Sequence, residues 1–157
     1  MKYIIFVLLI IIPSNIIGQE SIDSSKMLNE FYTELFNDNV TPEEIVSSYV
    51  HYLDKNEYKK AVNMIMDFRK LAIEERGQFF LLKKDIQENN FSISSYNSFG
   101  NDEKVKFNTI AQEKRNNIYK INLGSAIPQY ILLDNYKIAS FFGFKKAGYD
   151  EYYFIGF

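Results

Sequence analysis

The chain has no cysteine and no tryptophan, a single histidine and only three prolines. Without a thiol there can be no thiolate nucleophile, iron–sulfur cluster, disulfide or cysteine-type zinc site. One histidine cannot build a histidine-rich metal centre, and no other pattern calls for a metal or a cofactor. Glycine is also sparse, at seven residues. Gly143, Gly148 and Gly156 are too far apart for a phosphate-cradling loop and fall between predicted strands. The acidic stretch from Asn97 to Glu103 lacks the regular ligand spacing of a calcium loop. Basic charge is not in excess: 18 Lys and Arg face 20 Asp and Glu, for a net charge of −2. A nucleic-acid binder needs a basic patch to neutralise phosphates, so nucleic acid is not an expected partner.

Aromatic residues are abundant, with 14 Phe and 12 Tyr. Each buries a large apolar area, so a core without disulfides can still hold the fold.

The N-terminus has the order of an export signal. Lys2 gives a positive tip and Tyr3 to Ile12 an unbroken apolar run. Pro13-Ser14-Asn15 breaks that run, and Gly18 supplies a small residue for cleavage. The apolar run is about half of the ~20 residues a membrane-spanning helix needs, which disfavours an uncleaved anchor. With no cysteine there is no lipid anchor either. The expectation is removal of residues 1–18 and a protein that works in the periplasm or outside the cell, without a stable membrane anchor. Asn39-Val40-Thr41 and Asn90-Phe91-Ser92 match the N-glycosylation pattern, which matters only in a eukaryotic source.

Residues 19–157 read as one α+β domain, helical over 24–89 and strand-rich over 91–157. Met27, Leu28, Phe31, Tyr32, Leu35 and Phe36 form one face of a helix over about Ser24 to Asn37. Thr41-Pro42-Glu43-Glu44 carries a capping box and opens a second helix with Ile45, Val46, Tyr49, Val50 and Leu53 inward. Asp54 and Glu57 open a third, with Tyr58, Ala61, Val62, Ile65 and Phe68. Phe79, Leu82 and Ile86 mark a fourth, ending at Asn89-Asn90.

Beyond Asn90 the apolar period falls to two. Strands are expected around Phe91–Ile93, Val105–Thr109, Tyr119–Leu123, Gln129–Leu133, Tyr136–Phe144 and Tyr152–Phe157. Short connections make them an antiparallel meander of five to six strands, curved, with the helices on its concave face. Asp134-Asn135 reads as a two-residue hairpin turn that sets Leu133 opposite Tyr136 and Ile131 opposite Ile138. Phe31, Leu35, Tyr49, Ile65, Val105, Ile121, Leu132 and Ile138 are expected in the core.

Tyr52-Leu53-Asp54-Lys55-Asn56-Glu57-Tyr58-Lys59-Lys60-Ala61 and Lys137-Ile138-Ala139-Ser140-Phe141, with Lys145-Lys146 and Phe154-Ile155, resemble small exported bacterial domains of the nuclear transport factor-like superfamily. That resemblance implies a cystatin-like cone. The family form places a strand between its second and third helices, and the sequence shows none there. The resemblance carries no chemistry, because that fold hosts enzymes, ligand carriers and interaction domains.

No catalytic residue is assigned from the sequence. Ser47, His51 and Asp54 share one polar helical face, but three residues of one regular helix do not build a nucleophile, base and oxyanion hole. The pairs Glu43-Glu44, Glu74-Glu75 and Asp102-Glu103 read as helix-start, ion-pair and turn residues. The ion-pair reading sets Glu74 and Glu75 against Arg69, Lys70 and Arg76. Aromatic residues crowd the C-terminal strands, from Tyr130 to Phe157, and alternation turns about half of them outward, where they can meet a protein or a glycan. The expected function is therefore non-catalytic binding of a partner protein, a glycan or a small apolar ligand, at a site the sequence does not locate. The alternative is a small hydrolase or isomerase with its site in the concave face of the sheet.

Overall fold

The computed structural model describes residues 16–74, 77–145 and 148–156, with only the backbone for 16–22. The expected export signal therefore falls outside the described residues, apart from its last three positions, which open the first helix.

The fold is α+β, with helices preceding the strands. Four helices come first: α1 (Ile16–Leu35), α2 (Pro42–Tyr49), α3 (Lys55–Leu71) and α4 (Gln78–Gln87). At α2 the Thr41 side chain accepts from the Glu44 N–H, and the Glu44 carboxylate accepts from the Thr41 N–H and hydroxyl. At α3 the Asp54 carboxylate accepts from the N–H groups of Asn56 and Glu57. These caps satisfy donors that a helix cannot satisfy itself. Among the described residues Arg69 makes no ion pair with Glu74. Its guanidinium reaches the carbonyls of Glu34, Leu35 and Asn37 and closes the C-terminus of α1. Glu75 and Arg76 lie outside the described residues.

Strands β1 (Phe91–Ser95), β2 (Ile118–Leu123), β3 (Gln129–Asp134) and β4 (Lys137–Ser140) form one antiparallel meander. Strands β5 (Gly143–Lys145) and β6 (Tyr152–Phe154) pair separately as a two-stranded ribbon. Among the described residues there are thus six strands, but not in one sheet, and only five of the six expected runs are strands, one of them split in two. The run expected from Tyr136 to Phe144 breaks at Phe141-Phe142, where the Ser140 hydroxyl donates to the Phe142 carbonyl. Gly143 lets the ribbon close on β3. A Cβ there would lie 3.2 Å from Cβ of Tyr130 and 3.1 Å from the Tyr152 ring.

The strand expected at Val105–Thr109 is instead two short helical turns, α5 (Asn101–Lys104) and a 3-10 turn at Val105–Phe107, followed by α6 (Gln112–Arg115). Val105 is 59% exposed and Phe107 fully buried. Alternation over so short a run cannot separate a strand from a tight helical turn, which also sends neighbouring side chains apart.

The meander has two covered faces. Toward the helices point Tyr119, Ile121, Ile131, Leu133 and Ile138, packed with Phe31, Leu35, Ile45, Ile65 and Leu82 in the larger core. Toward the opposite side point Ile118, Tyr130 and Leu132, covered by Phe99, Phe107 and the ribbon's Tyr152 and Phe154. Leu132 is therefore a half-buried member of the second cluster rather than a residue of the helix-side core. Tyr49 is half-buried at the edge of the first, against Phe31.

The β3–β4 hairpin turns one residue later than expected. Asn135 (φ 48°) and Tyr136 (φ 59°) are its two turn residues, Asp134 faces Lys137 and Leu133 faces Ile138. A sheet face repeats every two residues, so the expected and observed registers bury the same set, Ile131, Leu133 and Ile138. Hydrophobic pattern cannot choose between them. In the observed register Tyr136 stays half-exposed at the tip instead of facing Leu133. Between α2 and α3, Val50 forms a single parallel bridge with Ile138, and the His51 N–H donates to the Ile138 carbonyl.

Candidate functional site

The three polar residues that share a helical pattern in the sequence do three separate jobs. Helix α2 ends at Tyr49, so His51 lies beyond it, along the edge of β4. Ser47 contributes its carbonyl, which accepts from Lys137 Nζ at 2.9 Å. Asp54 caps α3. The carboxylate that His51 meets is Asp134, with Nε2 3.6 Å from Oδ2. Asp134 is its only polar side-chain partner among the described residues. This pairing joins positions far apart in the chain and has no signature in the sequence.

Two other carboxylates are well partnered. Asp85 is fully buried at the end of α4. Its Oδ2 accepts from the N–H groups of Ser125 and Ala126, at 2.7 and 3.0 Å, and its Oδ1 from the Asn90 amide. Burial pushes this carboxyl up, but the donated hydrogen bonds outweigh it and hold the group below the usual carboxylate range. Glu103 accepts from the Tyr130 hydroxyl and from Lys120 Nζ at 2.8 Å. There too burial raises and the two partners lower, with a net downward result, while burial and Glu103 push the Tyr130 phenol up. Both groups are held in place by these partners, three donors on Asp85 and two on Oε1 of Glu103. Asp85 pins the β2–β3 connection to α4, and Glu103 pins α5 over the outer face of the sheet. Neither is poised to transfer a proton, since a depressed carboxyl is a poor base near neutral pH.

Open space lies elsewhere. Between Tyr32, Phe68, Phe79 and Phe141, inside the helix-side core, the void is about 10 Å³, barely one water. At the hairpin end of the meander a cleft of about 320 Å³ remains open. Its floor is Ser24, Tyr119 and Leu133, all buried. Its rim is Asn97, Asn116, Asn117, Asp134, Asn135 and Tyr136, all exposed, and Ser95 stands between. A second hollow between Asp102, Val105, Lys106 and Tyr149 is wider, but no lining residue is buried. Of these two, the first has the form of a built site, with a buried floor and convergent polar groups above it.

The local folding of the rim is informative. Asn135 and Tyr136 hold the left-handed conformation that a two-residue hairpin turn demands. Asn tolerates it, whereas a bulky aromatic residue in that region is an outlier. Glycine would turn the chain there with less strain. Asn97, Asn116 and Asn117 do not adopt positive φ, so the backbone does not require asparagine at those positions.

The aromatic crowding of the C-terminal strands divides as alternation requires. Tyr130, Tyr152 and Phe154 pack inward on Phe107. Phe144 and Tyr153, directly opposite each other in the ribbon, face outward. Phe157 lies outside the described residues. No helix of the described residues is long and apolar enough to cross a membrane, and no three His, Asp or Glu among them gather as a metal site would need.

No protein family, curated protein or solved structure matches the chain.

Proposed function

We propose that the chain is an exported, non-catalytic binding domain, and that its ligand enters the polar cleft at the hairpin end of the sheet. One observation carries this reading. Both faces of the meander are packed, while this cleft of about 320 Å³ stays open above a buried floor. A carrier for an apolar ligand would keep an apolar cavity between helices and sheet. The space there is filled by Phe31, Phe68, Phe141 and their neighbours. A hydrolase or isomerase in the concave face would need that same space. Asp85, the buried carboxylate among the described residues, is held by three donors, and the His51–Asp134 pair has no hydroxyl partner among them.

The compartment is read from the Lys2, Tyr3–Ile12 and Gly18 pattern, which supports cleavage near Gln19. The order of helices and meander, with the Val50 bridge standing where the family form carries a strand between its second and third helices, supports a cystatin-like cone.

The test is equilibrium dialysis of the purified chain against pools of sugars, amino acids, short peptides and nucleosides. The wild type is compared with an Asn97→Ala/Asn117→Ala variant that melts at the same temperature. Retention of some compound by the wild type and its loss from the variant is the expected result. A compound retained equally by both would place the site elsewhere.

A further inference from the structure

The composition of the cleft narrows the ligand class, a step that rests on the binding function proposed above. We propose that the cleft binds a neutral saccharide. The first ground is hydrogen-bond character. Four of the residues that line the cleft are asparagines, Asn97, Asn116, Asn117 and Asn135. Each amide donates through its NH₂ and accepts through its oxygen. A sugar hydroxyl also donates and accepts, so neighbouring hydroxyls can satisfy one amide at both ends. A phosphate or carboxylate only accepts, and is held by Arg, Lys or clustered N–H groups. An ammonium or guanidinium group only donates and a metal ion only takes lone pairs, so either is held by several anionic oxygens.

Charge is the second ground. Among the described residues neither Lys nor Arg lines the cleft. The one formal charge among its described lining residues, on Asp134, lies 3.6 Å from the His51 ring. An anionic ligand would meet a carboxylate and no lining cation. A cationic ligand would meet one acid that already has a partner. A neutral ligand meets neither cost, and Asp134 remains a strong acceptor for its hydroxyls.

The third ground is the pair of tyrosines. Tyr119, 4% exposed, lies in the floor, and Tyr136, 50% exposed, stands at the rim. An aromatic ring offers an apolar face with a polar tip. A pyranose has the matching shape, with C–H groups on its faces and hydroxyls round its edge. Tyr136 keeps an aromatic ring at a turn position, φ 59°, where glycine would be easier. The volume, about 320 Å³, is at the small end of ligand pockets, and suits a mono- or disaccharide unit rather than a long chain.

The experiment is isothermal titration of the purified full chain with maltose, cellobiose and N,N′-diacetylchitobiose, beside glucuronate and a blocked alanine tripeptide. The Asn97→Ala/Asn117→Ala and Tyr136→Gly variants are titrated in parallel, with thermal melts to show that each is folded. At least one neutral disaccharide should bind, with about tenfold or weaker affinity in each variant and no fall in melting temperature. Glucuronate should bind more weakly than the neutral sugars. If the neutral sugars give no signal while glucuronate or the peptide binds and is lost in the variants, the saccharide inference falls and the cleft remains a binding site. Equal affinity of wild type and variants for a sugar would overturn the assignment of that sugar to the cleft. If no probe of any class binds in a variant-sensitive way, the saccharide inference and the reading it rests on both fall.

Discussion

The two faces of the meander are packed by different means. The helix side is a continuous core of aliphatic and aromatic residues drawn from four helices and three strands. The outer side is a small, mostly aromatic cluster, Phe99, Phe107, Ile118 and Tyr130, closed by short helical turns and a two-stranded ribbon. Helices present long apolar stripes and can seal a sheet with many small contacts. Short turns present one side chain at a time, so the outer side relies on a few large rings and on the Glu103–Lys120–Tyr130 cluster to hold its cover in place. The difference implies unequal cooperativity. Loss of a helix-side residue should unfold the whole molecule, whereas loss of an outer one can release the segment around Asn101–Arg115 alone. The cleft opens where the meander ends at the β3–β4 turn.

The sharpest break should come from Phe31→Ala. Phe31 is 1% exposed and stacks on Phe141 with centroids 5.6 Å apart. The cost should be about 3–5 kcal/mol, seen in urea melts as a lower midpoint with an unchanged slope. Phe107→Ala removes as much surface, but local release limits the penalty to about 2–3 kcal/mol. Its melt should show a reduced slope, because the outer segment is already open before global unfolding. Identical slopes for the two variants would mean that the faces unfold as one unit.

Asp85 tests the join between the elements. Asp85→Asn removes a buried anion that accepts two backbone N–H groups, and should cost about 1–3 kcal/mol at neutral pH. The folded-state carboxyl is held below its usual range, so the unfolded chain binds the proton more readily. Stability from Asp85, and likewise from Glu103, is therefore present above the ordinary carboxylate pKa of about 4 and lost as pH falls below it. In acid melts the wild type should lose stability more steeply than Asp85→Asn. Parallel curves would show that the carboxylate is not held as described.

The smallest effect belongs to the turn. Tyr136→Gly relieves a left-handed aromatic residue and should leave stability unchanged or raise it by up to about 1 kcal/mol. Tyr136→Val, β-branched at the same φ, should lower it. A marked loss of stability in the glycine variant would mean that the Tyr136 side chain holds the hairpin rather than serving the cleft.

The helices and the main strands were legible because their signals are local. Thr41 and Glu44 form the expected capping box, Asp54 caps α3, and the stripe from Leu28 to Phe36 is buried. The outer cover was not legible. Val105 and Phe107 alternate like a strand, and only the packing of Phe107 against Tyr130 and Tyr152 reveals a turn. The hairpin register was ambiguous because a shift of two keeps every face. The cleft was the least visible part, since its rim comes from three separate stretches of the chain and its asparagines resemble ordinary turn residues one at a time. The outward aromatic pair Phe144 and Tyr153 could be anticipated, but not its separation from the main sheet.

The central claim, that the polar cleft and not the packed interior receives the ligand, is tested most directly by the side-chain amide signals of a ¹⁵N-labelled sample. Adding a retained compound should shift the NH₂ resonances of Asn97, Asn116, Asn117 and Asn135, and leave the methyl signals of Leu35, Ile65 and Ile138 in place. Shifts in those methyl groups, with the four amides unmoved, would contradict it.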